Sequence, residues 1–310
     1  MENTRAKTTR NSLILLLTAT IWGMAFVSQS KGMDYMHPFT FNGVRSLIGA
    51  AGILIYILIS RKIAGDKAAK LDWKLNVRAG LLCGIFLTIA STLQQFGIKY
   101  TSVGKAGFIT TLYIIFVPMF GVFLKKKVAP VVWAAAGMAA VGMYLLCMTE
   151  SLRLGAGDIM VFLCAIAFAI QIMTVDHYAA SIDGAVVSCI QFTVCGVVCC
   201  IGALIWGQPT LGQLQEGLGA LLYAGVLSCG VGYTLQIVGQ KGLNPTVAAL
   251  IMSLESVIAT ISGWIAYKIG FLTTDQTLTA RQIAGCVIVF AAVILVQLPP
   301  EWFCFGKKNA

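Results

Sequence analysis

Apolar runs of about twenty residues, separated by short polar connections, recur along the whole of this chain. A helix needs about 20 mostly apolar residues to cross the hydrocarbon layer of a bilayer. Ten stretches meet that length: 12–30, 38–60, 78–98, 104–124, 129–148, 157–176, 184–206, 217–238, 245–267 and 281–298. The longest polar piece between them is 61–77, too short for an inserted soluble domain. The pattern therefore predicts an all-α integral membrane protein with ten transmembrane helices. The first stretch follows Arg5, Lys7 and Arg10, as a signal peptide would. Its apolar part is long for that role, and its loss would leave the first half one helix short, so we read it as a retained helix.

The polar positions also repeat. Residues 92–99 read TLQQFGIK and residues 234–241 read TLQIVGQK, an offset of 142. At the same offset Ala106 matches Ala248, Ile109 matches Ile251, Leu112 matches Leu254 and Gly121 matches Gly263. Nine identities result where chance in so apolar a chain gives roughly three. Spans 1 and 6 align at offset 146, placing Trp22 opposite Phe168 and Ala19 opposite Ala165; Arg45 then faces Gln191. The chain reads as two copies of one unit, 1–148 and 149–310. Five spans per copy is an odd number, so the second copy enters the membrane inverted. Inverted repeats of this kind place a transport site at the interface between the copies.

Composition agrees. Hydrophobic residues make up 58% of the 310 and charged residues only 11%, against the ~25% that covers a soluble domain. The net charge of +10 is not a nucleic-acid footprint, because the basic residues sit in inter-span loops and at the ends. With the N-terminus inside, fifteen Lys and Arg are cytoplasmic: Arg5, Lys7, Arg10, Arg61, Lys62, Lys67, Lys70, Lys74, Arg78, Lys125, Lys126, Lys127, Lys241, Lys307 and Lys308. Six lie outside: Lys31, Lys99, Lys105, Arg153, Lys268 and Arg281. That bias orients both termini to the cytoplasm.

Candidate chemistry lies in the few polar groups inside apolar runs, where each needs a partner or a wet cavity. Arg45 and Glu255 are the ionisable residues well inside a span. They read either as a structural ion pair or as separate groups, Arg45 for structure or gating and Glu255 for a proton or a substrate amine. Gln94, Tyr113, Gln171, Tyr233 and Gln236 are candidate substrate-binding residues, though interhelical hydrogen bonding explains any one of them alone. Trp73, Trp133, Trp206, Trp264 and Trp302 lie near span ends, as interfacial tryptophans do. Trp22 lies mid-span and joins the candidate substrate-binding set. Pro118 interrupts the backbone ladder of span 4 and is a candidate hinge. Gly80 and Gly84, with Gly225, Gly230 and Gly232, allow close helix packing.

Other chemistries lack their motifs. The sequence has no P-loop, no GxSxG elbow and no HExxH pair. Most of the ten cysteines lie in apolar runs and read as small core residues. His37 and His177 have no metal-ligand neighbours at usual spacing. No cofactor and no metal is expected. Asp176, His177 and Asp183 form the one cluster that a membrane enzyme acting on a lipid carrier would use, and they read more simply as a solvated loop.

Several segments resemble the drug/metabolite transporter superfamily in its EamA-type branch. They are ATIWG at 19–23, Arg45 within FNGVRSLIGA, TLQQFGIKYTSVGKAGFITTLYIIFVP at 92–118, SLES at 253–256 and QIAG at 282–285. The resemblance covers about 12–298. It implies a carrier of the inner membrane, often an exporter of amino acids or other small metabolites, with a central cavity lined mainly by spans 1, 3, 4, 6, 8 and 9. Ser256 follows Glu255 where many members have proline. Lys125–Lys127 and Tyr267–Gly270 stand where many members end spans 4 and 9 with a Gly-Glu pair. The expected function is secondary transport of a small molecule across the bilayer by alternating access, with possible proton coupling through Glu255. The same superfamily implies a second reading, a flippase for a lipid-linked metabolite.

Overall fold

The computed structural model describes residues 2–65, 71–125, 128–147, 155–273 and 277–297. Every regular element among the described residues is helical. The first half contains α1 (Glu2–Gly32), α2 (Pro38–Ala64), α3 (Trp73–Ile98), α4 (Val103–Thr111), α5 (Tyr113–Phe123) and α6 (Pro130–Cys147). The second contains α7 (Ala156–Tyr178), α8 (Gly184–Gly202), α9 (Leu211–Glu216), α10 (Leu218–Leu222), α11 (Tyr233–Gln240), α12 (Pro245–Met252), α13 (Leu254–Lys268) and α14 (Ala280–Gln297). Two π-helical segments, Ala203–Gly207 and Tyr223–Gly232, extend α8 and join α10 to α11. Lys67, Lys70, Lys126, Lys127, Arg153, Trp302, Lys307 and Lys308 lie outside the described residues.

Among the described residues, eight continuous helical stretches are long and apolar enough to cross a bilayer. The expected spans at 129–148 and 281–298 correspond to shorter apolar stretches among the described residues, Pro130–Gly142 and Ala280–Leu295. These belong to α6 and α14, which pack along each other. Leu54, Ile55, Leu58 and Ile59 of α2 and Val197, Val198 and Ile201 of α8 remain exposed. Such apolar surface is stable against lipid and not against water.

Polar residues at the turns start the helices. Asp72 Oδ1 accepts from Leu75 N at 3.0 Å to cap α3, and Asn244 Oδ1 accepts from Thr246 N at 2.9 Å to cap α12. His37 Nδ1 accepts from Phe39 N at 3.3 Å before α2. Burial, and then the charge of Lys99, lower the His37 pKa, which keeps that nitrogen free to accept. Pro38 and Pro245 occupy the first turns of their helices, where the missing N–H costs nothing. Asp183, a member of the cluster weighed for enzyme chemistry, caps α8 by accepting from Ala185 N and Val186 N at 3.0 and 3.2 Å. His177 meets Tyr178 edge-on.

α2 packs on α8 and on the π-helical Tyr223–Gly232 segment, α3 on α7 and α8, and α1 on α11 and α13. The repeated glycines set two of these contacts. A Cβ on Gly97 would strike Val161 and lie 2.8 Å from Gly157 O, where α3 meets α7. A Cβ on Gly239 would lie 2.7 Å from Leu15 Cδ2, where α11 meets α1. Gly80 and Gly84 face Ile190 and Val194 of α8; close packing accounts for both.

The helices that carry the site are broken. α4 passes to α5 at Leu112, and α12 passes to α13 at Ser253. Just at these breaks Thr111 Oγ1 donates to Phe108 O at 2.9 Å and Ser253 Oγ donates to Leu250 O at 2.7 Å. A hydroxyl bonding back to a carbonyl of its own helix competes with the backbone ladder. In α5, Pro118 offers no N–H to the carbonyl of Ile114.

Candidate functional site

A cavity opens between the two halves, and all seven residues expected to bind substrate line it: Trp22, Gln94, Tyr113, Gln171, Tyr233, Gln236 and Glu255. Each half supplies part of the wall. α1, α3, α4 and α5 contribute Trp22, Gln94, Thr110 and Tyr113; α7, α11 and α13 contribute Gln171, Tyr233, Gln236 and Glu255. α2 and α8 were outside the expected wall, yet Arg45, Ser46 and Phe192 also face this space.

One side is aromatic. The rings of Trp22 and Tyr233 lie 4.5 Å apart at 51°, and Phe192 meets Tyr233 edge-on at 5.0 Å. Trp22 Nε1 donates to Ser228 O at 3.4 Å. Gly232 permits this placement, because a Cβ there would lie 2.6 Å from Trp22 Nε1. The mid-span tryptophan thus faces the cavity, with its polar atom anchored on the π-helical segment.

The other side is polar. Gln94 Nε2 donates to Thr110 Oγ1 at 3.1 Å within the first half. Gln236 Nε2 donates to Gln171 Oε1 at 3.2 Å within the second. This leaves Gln171 Nε2 and Gln236 Oε1 without partners, together with Gln29 Oε1 on α1. Buried amide atoms of this kind carry a cost of about 1–3 kcal/mol each when nothing meets them. They are therefore available to a hydrogen-bonding guest.

The two ionisable residues do not pair. The ion pairs among the described residues are Lys31–Asp34 and Lys105–Asp158. Glu255 Oε1 instead accepts from the Tyr113 hydroxyl at 3.0 Å. Arg45 is 5% exposed; its Nε donates to Asn42 Oδ1 at 2.9 Å, and its Cζ lies 5.4 Å from the centre of the Phe41 ring. Pro118 is buried in α5, below Tyr113, and is not among the cavity-lining residues.

The free volume among these side chains is about 40 Å³. That is room for a few water molecules, against the ~300–1,000 Å³ of pockets that hold small-molecule ligands. Among the described residues no group of three His, Cys, Asp or Glu is placed to hold a metal ion. The arrangement is suited to non-covalent recognition: an aromatic wall, amide donors and acceptors, one cation and one carboxyl.

Gln29, Ser46, Ser91, Phe192 and Ser228 also line the cavity and were not singled out from the sequence. Gln29 carried the same signal as Gln94, an amide inside an apolar run. Serine and phenylalanine in a membrane helix look like packing until their direction is known.

The model of the EamA-like transporter family matches residues 10–148 and 155–298. An "Uncharacterized transporter" of Archaeoglobus fulgidus is 27% identical over 291 residues, covering 92% of this chain and 84% of its own length. The "Uncharacterized transporter YwfM" of Bacillus subtilis is 24% identical over 294 residues, covering 94% of both chains. A solved structure described only as "Crystal structure of protein" shares the fold, with a TM-score of 0.73 over 96% of this chain and 99% of its own at 16% identity.

Proposed function

Because the chain belongs to the EamA-like transporter family, we propose that it is a secondary active carrier that exports a small metabolite, such as an amino acid or a related compound, by alternating access. The observation that carries this reading is the cavity itself: it lies between the halves, takes wall residues from both, and gathers the polar groups of otherwise apolar helices.

The cycle follows from inverted topology. In this reading, 1–148 and 149–310 are five-helix units of opposite orientation, completed by α6 and α14. The packing supports it: α3 on α7 answers α11 on α1, and Gly97 against Val161 answers Gly239 against Leu15. Rocking one unit against the other opens the cavity to one side and then the other. The broken helices α4–α5 and α12–α13 supply the bending points, with Pro118 marking the first.

Trp22 and Tyr233 would flank the apolar part of the cargo. Gln94, Gln171 and Gln236 would satisfy its polar groups. Glu255 would exchange a proton, or meet an amine, with the Tyr113 hydroxyl holding the carboxyl in place. In this reading the protein sits in the cell membrane with both termini cytoplasmic, as the positive charge near α1, α2 and α3 supports.

The test is flux in proteoliposomes, with Glu255→Gln beside the unaltered chain. The reading expects cargo movement driven by an imposed pH gradient, and a loss of that drive in the variant. Unchanged transport with unchanged pH dependence would remove the coupling role of Glu255. Absence of any flux from a broad metabolite pool would remove the carrier reading.

A further inference from the structure

Among the described residues Arg45 has no counter-ion. It is 95% shielded from solvent, lines the cavity, and forms no ion pair with any described residue. An unpaired cation at such a site is costly, and membrane helices keep such groups for substrate or ion paths. A purely structural arginine would have its guanidinium spent on helix carbonyls or a carboxylate. Here its one hydrogen bond among the described residues is from Nε to Asn42 Oδ1. That bond and the Phe41 ring beneath Cζ fix the plane of the group. The two terminal nitrogens remain unspent.

Resting on the carrier reading above, we infer that Arg45 is the binding residue for a carboxylate of the cargo. The guanidinium fork matches a carboxylate through two parallel N–H donors. Gln171 Nε2 is a further unpartnered donor in the same cavity. Arg45 is the one cation in the wall, and Glu255 already contributes an acid. A phosphate dianion would leave an excess negative charge in a low-dielectric space, whereas a single carboxylate neutralises Arg45. The cargo is thus a compound with one carboxylate at Arg45 and an apolar or aromatic body against Trp22 and Tyr233. Zwitterionic amino acids and simple monocarboxylates share this chemistry. In the first case the ammonium would meet Glu255; in the second a proton would.

The experiment uses the full chain in lipid nanodiscs and a panel of matched pairs: phenylalanine and leucine with their primary amides, and phenylacetate and hexanoate with theirs. Thermal stabilisation is read against concentration. The inference expects at least one acid to stabilise the protein while its amide does not. Stabilisation by the amino acids assigns zwitterions, and stabilisation by phenylacetate or hexanoate assigns monocarboxylates. Arg45→Gln should weaken the responding acid by roughly 30-fold or more, and Arg45→Lys by less. Asn42→Asp supplies an internal carboxylate beside Arg45 in a folded protein, and should abolish the response as well. Lys74→Gln, exposed on the first turn of α3 and outside the cavity wall, should leave it in place. Amides that stabilise as well as acids, an undiminished response in Arg45→Gln or Asn42→Asp, or a panel without response would overturn the inference. Flux of uncharged metabolites in proteoliposomes would leave the carrier reading standing without it.

Discussion

The Tyr113 hydroxyl donates to Glu255 Oε1 at 3.0 Å across 142 positions of sequence, the same interval that relates TLQQFGIK to TLQIVGQK. In the two-repeat reading the two residues occupy corresponding places, and they meet in the cavity. In that reading one contact ties equivalent points of both halves together, and the repeat is chemically unequal there: phenol on one side, carboxyl on the other. Tyr113→Phe removes the donor and leaves the ring. Leaving a buried hydrogen-bonding group without its partner costs about 1–3 kcal/mol, so apparent cargo affinity or pH drive should shift about 10-fold or more in proteoliposome flux. A variant indistinguishable from the unaltered chain in both readouts would show that the contact is incidental.

Gln94 and Gln236 also stand at the repeat interval, and each bonds within its own half, to Thr110 and to Gln171. In the inverted reading they brace opposite ends of the cavity. Gln94→Ala and Gln236→Ala should bias the carrier toward opposite-facing states. Accessibility of a reporter cysteine at each end, labelled from each side, measures this. Movement in the same direction in both variants would contradict it.

Gly232→Ala places a methyl group 2.6 Å from Trp22 Nε1. Trp22 must leave its position against Tyr233. Overpacking of this kind costs about 1–3 kcal/mol, but the larger effect should be on transport, because the aromatic wall is displaced. Gly97→Ala meets Gly157 O and Val161 instead, away from the wall. It should lower thermal stability more than it alters cargo preference. The pair separates packing from recognition in one set of melting and uptake curves.

Lys105 Nζ binds Asp158 Oδ2 at 2.6 Å, and Thr101 Oγ1 and Gly155 N hold the same carboxylate. This joins the start of α4 to the start of α7. Lys105→Gln removes the cation from a carboxylate that is 4% exposed. The expected cost is about 1–3 kcal/mol, with faster labelling of a cysteine placed near residue 104. Unchanged labelling would mean that the pair does not hold that end closed.

The sequence displayed the helices plainly because the bilayer demands length and low polarity together, and eight long apolar stretches follow that demand. The wall residues were readable for the same reason: Gln94, Gln171 and Gln236 are amides in runs that otherwise admit none, and Trp22 stands where no interface explains it. Direction was harder. Spacing does not say which way a side chain points, so the sequence alone did not place Arg45 in the wall. The π-helical Tyr223–Gly232 segment left no signature either; its glycines, Ser228 and Cys229 fit an ordinary close-packed helix. The breaks at Leu112 and Ser253 coincide with hydroxyl-to-carbonyl bonds of Thr111 and Ser253, which no periodicity encodes.

The narrowness of the central cavity has an electrical consequence. About 40 Å³ of free space holds too little water to join the two aqueous phases in a continuous file. Asn11 Nδ2, bonded to Lys241 O at 2.8 Å, pins α1 to the turn after α11, while Lys105 and Asp158 pin α4 to α7 at the other end of the bundle. In the carrier reading, a protein held in this conformation would not conduct ions by itself. Many copies would then reside in a membrane that stores energy as ion gradients without discharging them.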